Sequence, residues 1–284
     1  MSTTLVQAWT QARRRLEVAG IEGPVIDARL LLEAASGATR ADIVSDPYRP
    51  LTDDQAQALE RYIDRRIARE PVSHILGRKG FWTVELKVTR DVLTPRPDTE
   101  TLVDGVLKSL PAEEPVHILD LGVGSGAILL ALLAERPLWS GVGVDLSQAA
   151  LEVARENAAL LKLDDRASFV HGQWAEGQPD LAFDAVVSNP PYIPSADIEI
   201  LEPEVRDHEP RLALDGGPDG LEAYRVLAPQ VMRVLKPGGL FAFEIGHDQG
   251  HAVEALMNQA KAGYCRVVTD LGRRDRVVIG RAPA

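Results

Sequence analysis

Cysteine is nearly absent from this sequence: Cys265 is the single one among 284 residues. An intramolecular disulfide is therefore impossible, and a zinc cluster built on cysteines is excluded. No segment stays apolar for the length of a membrane-spanning helix. The first residues also lack the basic segment and apolar run that mark a secretory signal. We therefore expect a cytoplasmic protein with no membrane partner and no metal cofactor.

A net positive charge is also absent, because 31 lysine and arginine residues are outnumbered by 42 acidic residues, giving a net charge of −11. Proteins that bind nucleic acid usually carry a basic face, since the release of counterions supplies much of their affinity. The charge balance therefore speaks against direct DNA binding and favours a protein or a small molecule as partner. No coiled-coil heptad occurs either, and we expect a monomer.

The first part of the chain has the pattern of helices. Apolar residues recur at helical spacing between residues 5 and 16. Thr52, with Gln55 three residues later, has the sequence of a capping box and predicts a helix start. We predict a helical bundle over residues 1–78, followed over residues 79–94 by a β-hairpin in which bulky and polar residues mostly alternate.

From residue 95 to residue 284, predicted strands and helices alternate. The strands are predicted at residues 117–121, 141–145, 168–171, 183–188 and 240–245, with a closing antiparallel pair at 266–269 and 276–279. The helices are predicted at residues 127–135, 148–161 and 221–235, and residues 202–214 are predicted to be a loop. Such alternation indicates a parallel sheet covered by helices on both faces. The predicted fold class is α/β: a Rossmann-like domain with a seven-stranded, mostly parallel sheet, joined by the hairpin to the helical bundle.

A glycine-rich segment follows the first strand of this domain. Its candidate ligand-binding residues are Gly122, Val123, Gly124, Ser125 and Gly126. Glycines there allow a tight turn and let a ligand approach the backbone and the N-terminus of the next helix. Asp145 ends the second strand, where a carboxylate can accept hydrogen bonds from both ribose hydroxyls of a nucleoside. The same pattern suits NAD as well as S-adenosylmethionine, so the glycine loop alone leaves the cofactor open.

The fourth strand ends in Asn189, Pro190, Pro191 and Tyr192, at the sheet edge where the glycine loop also lies. The side-chain oxygen of Asn189 and the backbone carbonyl of Pro190 can together accept both hydrogens of a planar NH2 group, and the Tyr192 ring can pack against its plane. An amide or an aromatic amine is a poor nucleophile, and two acceptors favour positive charge on its nitrogen. This motif predicts methyl transfer to nitrogen. An NAD oxidoreductase would leave the Asn-Pro-Pro-Tyr motif unexplained.

Several motifs in order resemble one family. They are Pro-Val-Ser-His-Ile-Leu-Gly (71–77), Leu-Thr-Pro-Arg-Pro-Asp-Thr-Glu (93–100), the glycine loop, Asn-Pro-Pro-Tyr-Ile (189–193), Phe-Glu-Ile-Gly (243–246) and Arg-Val-Val (276–278). Over nearly its whole length the chain resembles the peptide chain release factor glutamine-N(5) methyltransferases of the PrmC/HemK type. The resemblance implies transfer of a methyl group from S-adenosylmethionine, with S-adenosylhomocysteine as product, to the glutamine of a Gly-Gly-Gln loop in a class 1 release factor.

The resemblance also implies roles for individual residues. The glycine loop then lines the cofactor, Asp145 holds its ribose, and Trp174 flanks its adenine. Asn189 and Pro190 hold the substrate amide, residues 95–100 form a wall of the site, and the helical domain docks the protein substrate.

Three alternatives remain open at this point. A glutamine of a ribosomal protein would suit the same motifs. An adenine-N(6) nucleic-acid methyltransferase would use Asn-Pro-Pro-Tyr on a flipped base, but it needs a basic surface. A nucleoside-binding module without turnover would keep the fold and leave the intact motif unused.

Overall fold

The computed structural model describes residues 3–284, which form two compact units. The first unit comprises the chain up to Gly77 together with the segment Glu202–His208. The second comprises Arg78–Leu201 and Glu209–Ala284, so the predicted hairpin belongs to the second unit.

The first unit is helical. Its helices are α1 (Leu5–Val18), α2 (Pro24–Ser36), α3 (Arg40–Ser45), α4 (Asp53–Ile67), α5 (Val72–Leu76) and, from the later segment, α9 (Pro203–Arg206). Leu5 and Leu16 of α1 are fully buried with Leu31 and Leu32 of α2, which confirms the helical pattern of the sequence. The capping box of α4 is also confirmed, because the Gln55 amide nitrogen lies 3.2 Å from the Thr52 hydroxyl oxygen.

A buried cation joins the later segment to the helices of the first unit. The Arg66 side chain of α4 is 7% exposed and contacts Asp27 of α2 at 2.8 Å and Glu204 of α9 at 2.9 Å. Pro203 occupies the first turn of α9, where its missing amide hydrogen costs nothing. The prediction of a loop over residues 202–214 is therefore wrong in part, because one turn of helix is too short to show a period.

The second unit contains the sheet. Its elements are the hairpin β1 (Arg78–Phe81) and β2 (Val84–Lys87), α6 (Glu100–Ser109), β3 (His117–Leu121), α7 (Ala127–Glu135), β4 (Ser140–Asp145), α8 (Gln148–Leu161), β5 (Ala167–His171), β6 (Phe183–Ser188), α10 (Glu222–Val234), β7 (Leu235–Glu244), α11 (Gly250–Gln259), β8 (Tyr264–Thr269) and β9 (Asp275–Arg281), with 3-10 turns at Pro97–Thr99, Ile198–Ile200 and Arg211–Ala213. The helix α6 had not been predicted.

Seven strands form one sheet in the order β5-β4-β3-β6-β7-β9-β8. The pairings among β5, β4, β3, β6 and β7 are parallel, and β9 runs antiparallel to both of its neighbours. One face packs on α6, α7 and α8, and the other packs on α10 and α11. The predicted α/β fold is confirmed. The strand order reverses between β3 and β6, which is where open sheets of this type bind ligands.

One strand begins earlier than predicted. The strand β7 begins at Leu235 and runs through Pro237, whereas the sequence predicted a helix up to residue 235 and a strand from residue 240. Its pairing with β6 shifts register between Phe183 and Ala185, and such an irregularity accommodates a proline inside a strand. Cys265 lies in β8 and is half-buried.

Candidate active site

The register of the sheet aligns the ends of four strands. Leu121 of β3 lies beside Val144 of β4 and Ser188 of β6. Ser188 in turn lies beside Phe243 of β7. Parallel strands present their carboxyl ends at one edge, so the residues that follow these four aligned positions stand in a row: Asp145, Gly122, Asn189 and Glu244.

A cavity of about 670 Å³ opens over this edge, within the second unit. Many of the residues singled out from the sequence line it: Gly122, Val123, Gly124, Ser125, Asp145, Trp174, Asn189 and Pro191. Gly126 and Pro190 are buried and do not line it, and neither does Tyr192. The volume lies within the usual range for small-molecule sites.

Backbone hydrogen bonds shape the glycine loop. The amides of Gly122 and Val123 both donate to the Val144 carbonyl, at 2.8 and 3.0 Å, and turn the chain over the end of β4. Gly126 precedes α7 with a φ of +84°, and a Cβ there would lie 2.8 Å from Leu130 Cδ1. A side chain at residue 126 is therefore disfavoured by conformation, and it would require the Leu130 side chain to shift.

Asp145 is held by backbone donors. Its Oδ2 accepts from the Gly124 amide and its Oδ1 from the Ser147 amide, both at 2.8 Å. Burial raises the pKa of Asp145, and these hydrogen bonds oppose the rise. Each carboxylate oxygen has a further lone pair, so the group is fixed and can still accept from a ligand. The Trp174 ring lies beside Gly122, with Cζ3 3.7 Å from the position of a Cβ there.

Side chains hold the Asn-Pro-Pro-Tyr segment. The Asn189 Nδ2 donates to the Thr99 hydroxyl oxygen at 3.4 Å. The Tyr192 hydroxyl donates to Glu244 Oε1 at 3.3 Å, and its backbone carbonyl accepts from Gln249 Nε2 at 2.9 Å. Burial raises the pKa of Tyr192 far above its ordinary value, so the phenol remains neutral.

The predicted wall over residues 95–100 contributes Pro95, Arg96 and Thr99 to the cavity. Arg96 donates to Glu209 Oε2 at 2.7 Å, and the Glu209 side chain is 1% exposed. Burial raises the pKa of this carboxyl, while Arg96 opposes the rise. The ion pair joins the wall to the segment that follows the first unit's α9.

Two buried acids at this edge had not been singled out from the sequence. Burial raises the pKa of Asp120 and of Glu244 to about 7 each. Asp120 Oδ2 accepts from the Leu129 amide at 3.2 Å, whereas its Oδ1 has no hydrogen-bond partner among residues 3–284. A single acid inside an otherwise apolar strand is the signal that could have indicated both.

The buried side-chain amide of Asn157 is hydrogen-bonded to the backbone of the glycine loop. Asn157 of α8 is fully buried, and its Nδ2 donates to the carbonyls of Ser125 at 2.8 Å and Lys87 at 3.0 Å. Its Oδ1 accepts from the Lys87 amide at 2.6 Å. This residue ties the loop to the hairpin strand β2, and nothing in the sequence around it indicated the contact.

Within the described part of the chain, no group of three or more histidine, cysteine or acidic side chains is placed to hold a metal ion. None of the helices described there is both long and apolar enough to cross a membrane.

Comparison with known proteins gives two family matches. Residues 7–77 match the PrmC N-terminal domain, and residues 99–216 match the methyltransferase small domain. The release factor glutamine methyltransferase of Caulobacter vibrioides is 62% identical over 280 residues, which are 99% of this chain and 97% of that protein. The protein of the same name from Rhodospirillum rubrum is 48% identical over 270 residues, covering 95% of this chain and 82% of its own length.

Among solved structures, a methyltransferase from Pyrococcus furiosus is similar with a TM-score of 0.55 at 18% identity, over 78% of this chain and 100% of that one. At this identity the likeness concerns the fold alone. The sequence similarity extends over both units and over the full row of strand ends. The chain therefore belongs to the release factor glutamine methyltransferases, a family of S-adenosylmethionine-dependent enzymes.

Proposed function

We propose that this chain methylates the side-chain amide nitrogen of a glutamine in a class 1 peptide chain release factor, within its Gly-Gly-Gln loop. The observation that carries the proposal is the amide of Asn189, which lines the cavity one strand away from the glycine loop. The names of the relatives from Caulobacter vibrioides and Rhodospirillum rubrum support the same substrate. Small glycines before the target would let its side chain enter a narrow cavity.

The residues present fit S-adenosylmethionine. We assign its nucleoside to the loop of Gly122, Val123, Gly124, Ser125 and Gly126, with Asp145 accepting from the ribose hydroxyls and Trp174 beside the adenine. The support is the set of polar groups: a rigid carboxylate with free lone pairs next to a loop in which Gly122, Gly124 and Gly126 all have positive φ. When bound, this cofactor supplies an electrophilic methyl group on a sulfonium sulfur.

The substrate amide needs activation because its lone pair is delocalised. In this proposal Asn189 Oδ1 and the Pro190 carbonyl accept its two hydrogens, and they stabilise the positive charge that develops on nitrogen. Pro191 keeps the turn rigid, and the Tyr192 ring packs against the amide plane. The proton becomes acidic after transfer, so no strong base is required beforehand; within residues 3–284 no histidine lines the cavity.

The deciding experiment uses labelled S-adenosylmethionine and an intact class 1 release factor. We expect label on the unchanged factor and none on factors whose loop glutamine is replaced by alanine or by glutamate. Label on either variant would contradict the assigned residue. Label on a ribosomal protein or on adenine-containing nucleic acid, with none on the release factor, would instead favour one of those substrates.

We further propose that the helical unit docks the release factor and that the enzyme works as a cytoplasmic monomer without binding DNA. A peptide carrying only the Gly-Gly-Gln loop is then a poorer substrate than the whole factor, mainly through a higher KM. Equal kcat/KM for peptide and factor would contradict docking. Sedimentation at assay concentration tests the oligomeric state.

A further inference from the structure

The Trp174 ring borders the cavity from a strained piece of backbone. Trp174 stands in the loop of residues 172–182, between β5 and β6, and it lines the cavity. Its φ is +52°, in the left-handed region where a bulky residue is rarely found. Its Cζ3 lies 3.7 Å from the position of a Cβ at Gly122, so the ring is next to the glycine loop. Such a backbone conformation persists only where the surrounding contacts hold it.

The backbone that follows Trp174 is held by two side chains of α10. The Ala175 amide donates to Gln230 Oε1 at 2.9 Å, and the Ala175 carbonyl accepts from Arg233 Nη2 at 2.7 Å. Ala175 is fully buried. The two side chains are three residues apart and therefore lie on the same face of the helix. The peptide units that flank Ala175 cannot rotate without breaking these hydrogen bonds.

Arg233 also holds the far end of the same loop. Its Nη1 donates to the Gln178 carbonyl at 2.8 Å, and the guanidinium forms an ion pair with the exposed Asp180. The guanidinium fork thus spans two backbone carbonyls, a geometry that an ammonium group does not reproduce. The backbone carbonyl of Arg233 accepts from the Leu181 amide at 3.0 Å. Side chain and backbone of one residue therefore fix the loop over residues 175–181.

The helix that carries both side chains is itself firmly placed. Leu227 and Val231 of α10 are fully buried in the core on one face of the sheet. The same helix lines the cavity through Ala223 and Val226. Groups mounted on a packed helix hold their positions more precisely than groups on a loop. The loop that carries Trp174 is therefore fastened to a part of the domain that needs no bound ligand to stay in place.

We propose that Gln230 and Arg233 are positioning residues of the cofactor site, which keep Trp174 in its left-handed conformation with its ring at the adenine position. The inference rests on the proposed function, because it needs S-adenosylmethionine in this cavity with its adenine beside Trp174. A ring that is already in place loses little freedom when a nucleoside packs against it, so more of the interaction energy contributes to affinity. Neither Gln230 nor Arg233 lines the cavity, and both therefore act through the loop.

The first test is the binding of S-adenosylhomocysteine to the whole protein, measured by calorimetry. We expect Trp174→Ala to weaken binding about 10- to 100-fold, the range for removing an aromatic ring that contacts a base. Gln230→Leu and Arg233→Lys should each weaken it about 2- to 10-fold, as for the loss of one hydrogen bond. Gln230→Glu keeps an acceptor for the Ala175 amide and should bind almost as tightly as the unchanged chain. The matched control is Asp180→Ala, which removes only the exposed ion pair and should change the affinity less than about twofold.

A double-mutant cycle shows whether the two side chains act through the ring. If they do, Gln230→Leu and Arg233→Lys should change the affinity of the Trp174→Ala chain by less than about twofold, because the group that they position is gone. The same several-fold loss with and without the ring would overturn the proposal. An unchanged affinity in Trp174→Ala alone would also overturn it, since the adenine would then lie elsewhere.

The position of the ring can be followed without a ligand by fluorine-19 NMR of the protein labelled with 5-fluorotryptophan. The chain has four tryptophans, and the Trp174 signal is assigned by its loss in Trp174→Phe. We expect Gln230→Leu and Arg233→Lys to shift this signal and to leave the other three in place, which would show that the fold is intact. Gln230→Glu and Asp180→Ala should leave all four in place. A Trp174 signal that is the same in Gln230→Leu, Arg233→Lys and the unchanged chain would contradict the proposal.

Kinetics separate this positioning role from the methyl transfer step. At saturating S-adenosylmethionine, kcat of Gln230→Leu should stay close to normal, while KM for the cofactor rises about 2- to 10-fold. A lowered kcat with an unchanged KM would count against the proposal. If the unchanged chain fails to methylate a release factor while binding and the Trp174 signal behave as expected, the proposed substrate fails and the role of Gln230 and Arg233 stands.

Discussion

The two sides of the cavity are held in place by different means. On the glycine-loop side, residues 122–126 and Asp145 are fixed by backbone amides and carbonyls. On the Asn-Pro-Pro-Tyr side, residues 189–192 are fixed by side chains, including Thr99, Glu244 and Gln249. The first arrangement depends on conformation and the second on particular hydrogen-bonding groups.

This difference assigns different consequences to substitution. A change on the glycine-loop side should affect how tightly the cofactor is held or how stable the unit is. A change on the Asn-Pro-Pro-Tyr side should affect the methyl transfer step, because its acceptors matter most when charge develops on nitrogen. Kinetics that separate kcat from KM can therefore test whether the two sides have these different roles.

The largest effect is expected for Asn189→Ala, which removes one of the two proposed acceptors. We expect kcat to fall by about 10²- to 10³-fold, as for the loss of one preorganised group that stabilises transition-state charge. Affinity for S-adenosylhomocysteine should change less than about tenfold. Single-turnover methylation and calorimetry measure the two quantities. The exposed Asn258→Ala on α11 is the matched control, and a kcat within tenfold of normal for Asn189→Ala would contradict the assignment.

The next effect is expected for Asp145→Ala, on the opposite side. Loss of hydrogen bonds to a charged group should raise KM for S-adenosylmethionine about 10- to 100-fold. At saturating cofactor, kcat should stay close to normal, because the carboxylate does not touch the reacting nitrogen in the proposed arrangement. Initial rates over a cofactor series test this, with the exposed Asp164→Ala as control. A lowered kcat with unchanged KM would reverse the roles of the two sides.

The same comparison explains what the sequence could predict. The glycine loop and the Asn-Pro-Pro-Tyr segment are each contiguous, so their residues and their common sheet edge could be identified from periodicity and turn chemistry. Thr99 and Glu244 lie far apart in the chain. Strand register places Glu244 beside Asn189, and the 3-10 turn before α6 places Thr99 in contact with Asn189. The strand β7 was placed too late and α9 was missed, because a proline inside a strand and a single helical turn carry no clear period.

A smaller effect is expected on stability for Gly126→Ala. Its φ of +84° and the 2.8 Å approach of Leu130 Cδ1 both oppose a Cβ. We expect the free energy of unfolding to fall by about 1–3 kcal/mol, the usual range for a non-glycine residue held in the left-handed region. Denaturant titration measures it. The control is Gly80→Ala in the hairpin, where no atom of residues 3–284 lies within 4 Å of a Cβ and no change beyond about 0.5 kcal/mol is expected.

The smallest effect is expected for Asp120→Asn, beneath the glycine loop. Burial raises the pKa of Asp120 to about 7 in the folded chain, against 3.8 for the ordinary group. The folded state therefore binds this proton more tightly than the unfolded state does. The resulting stabilisation is complete below pH 3.8 and is lost as the pH rises to 7.

Asparagine cannot titrate, so its advantage over the unchanged residue should grow with pH over that window. The gain is reduced because its NH2 group must be buried where Asp120 Oδ1 has no partner among the described residues, at a cost of about 1–3 kcal/mol. We expect Asp120→Asn to be more stable than the unchanged chain by ~1 kcal/mol at pH 8 and no more stable at pH 5. Denaturant midpoints at the two pH values measure this, with the exposed Asp164→Asn as control. An advantage that is the same at both pH values would mean that Asp120 is ionised in the folded chain throughout, and that the backbone donors of the glycine-loop side stabilise its charge as they do that of Asp145.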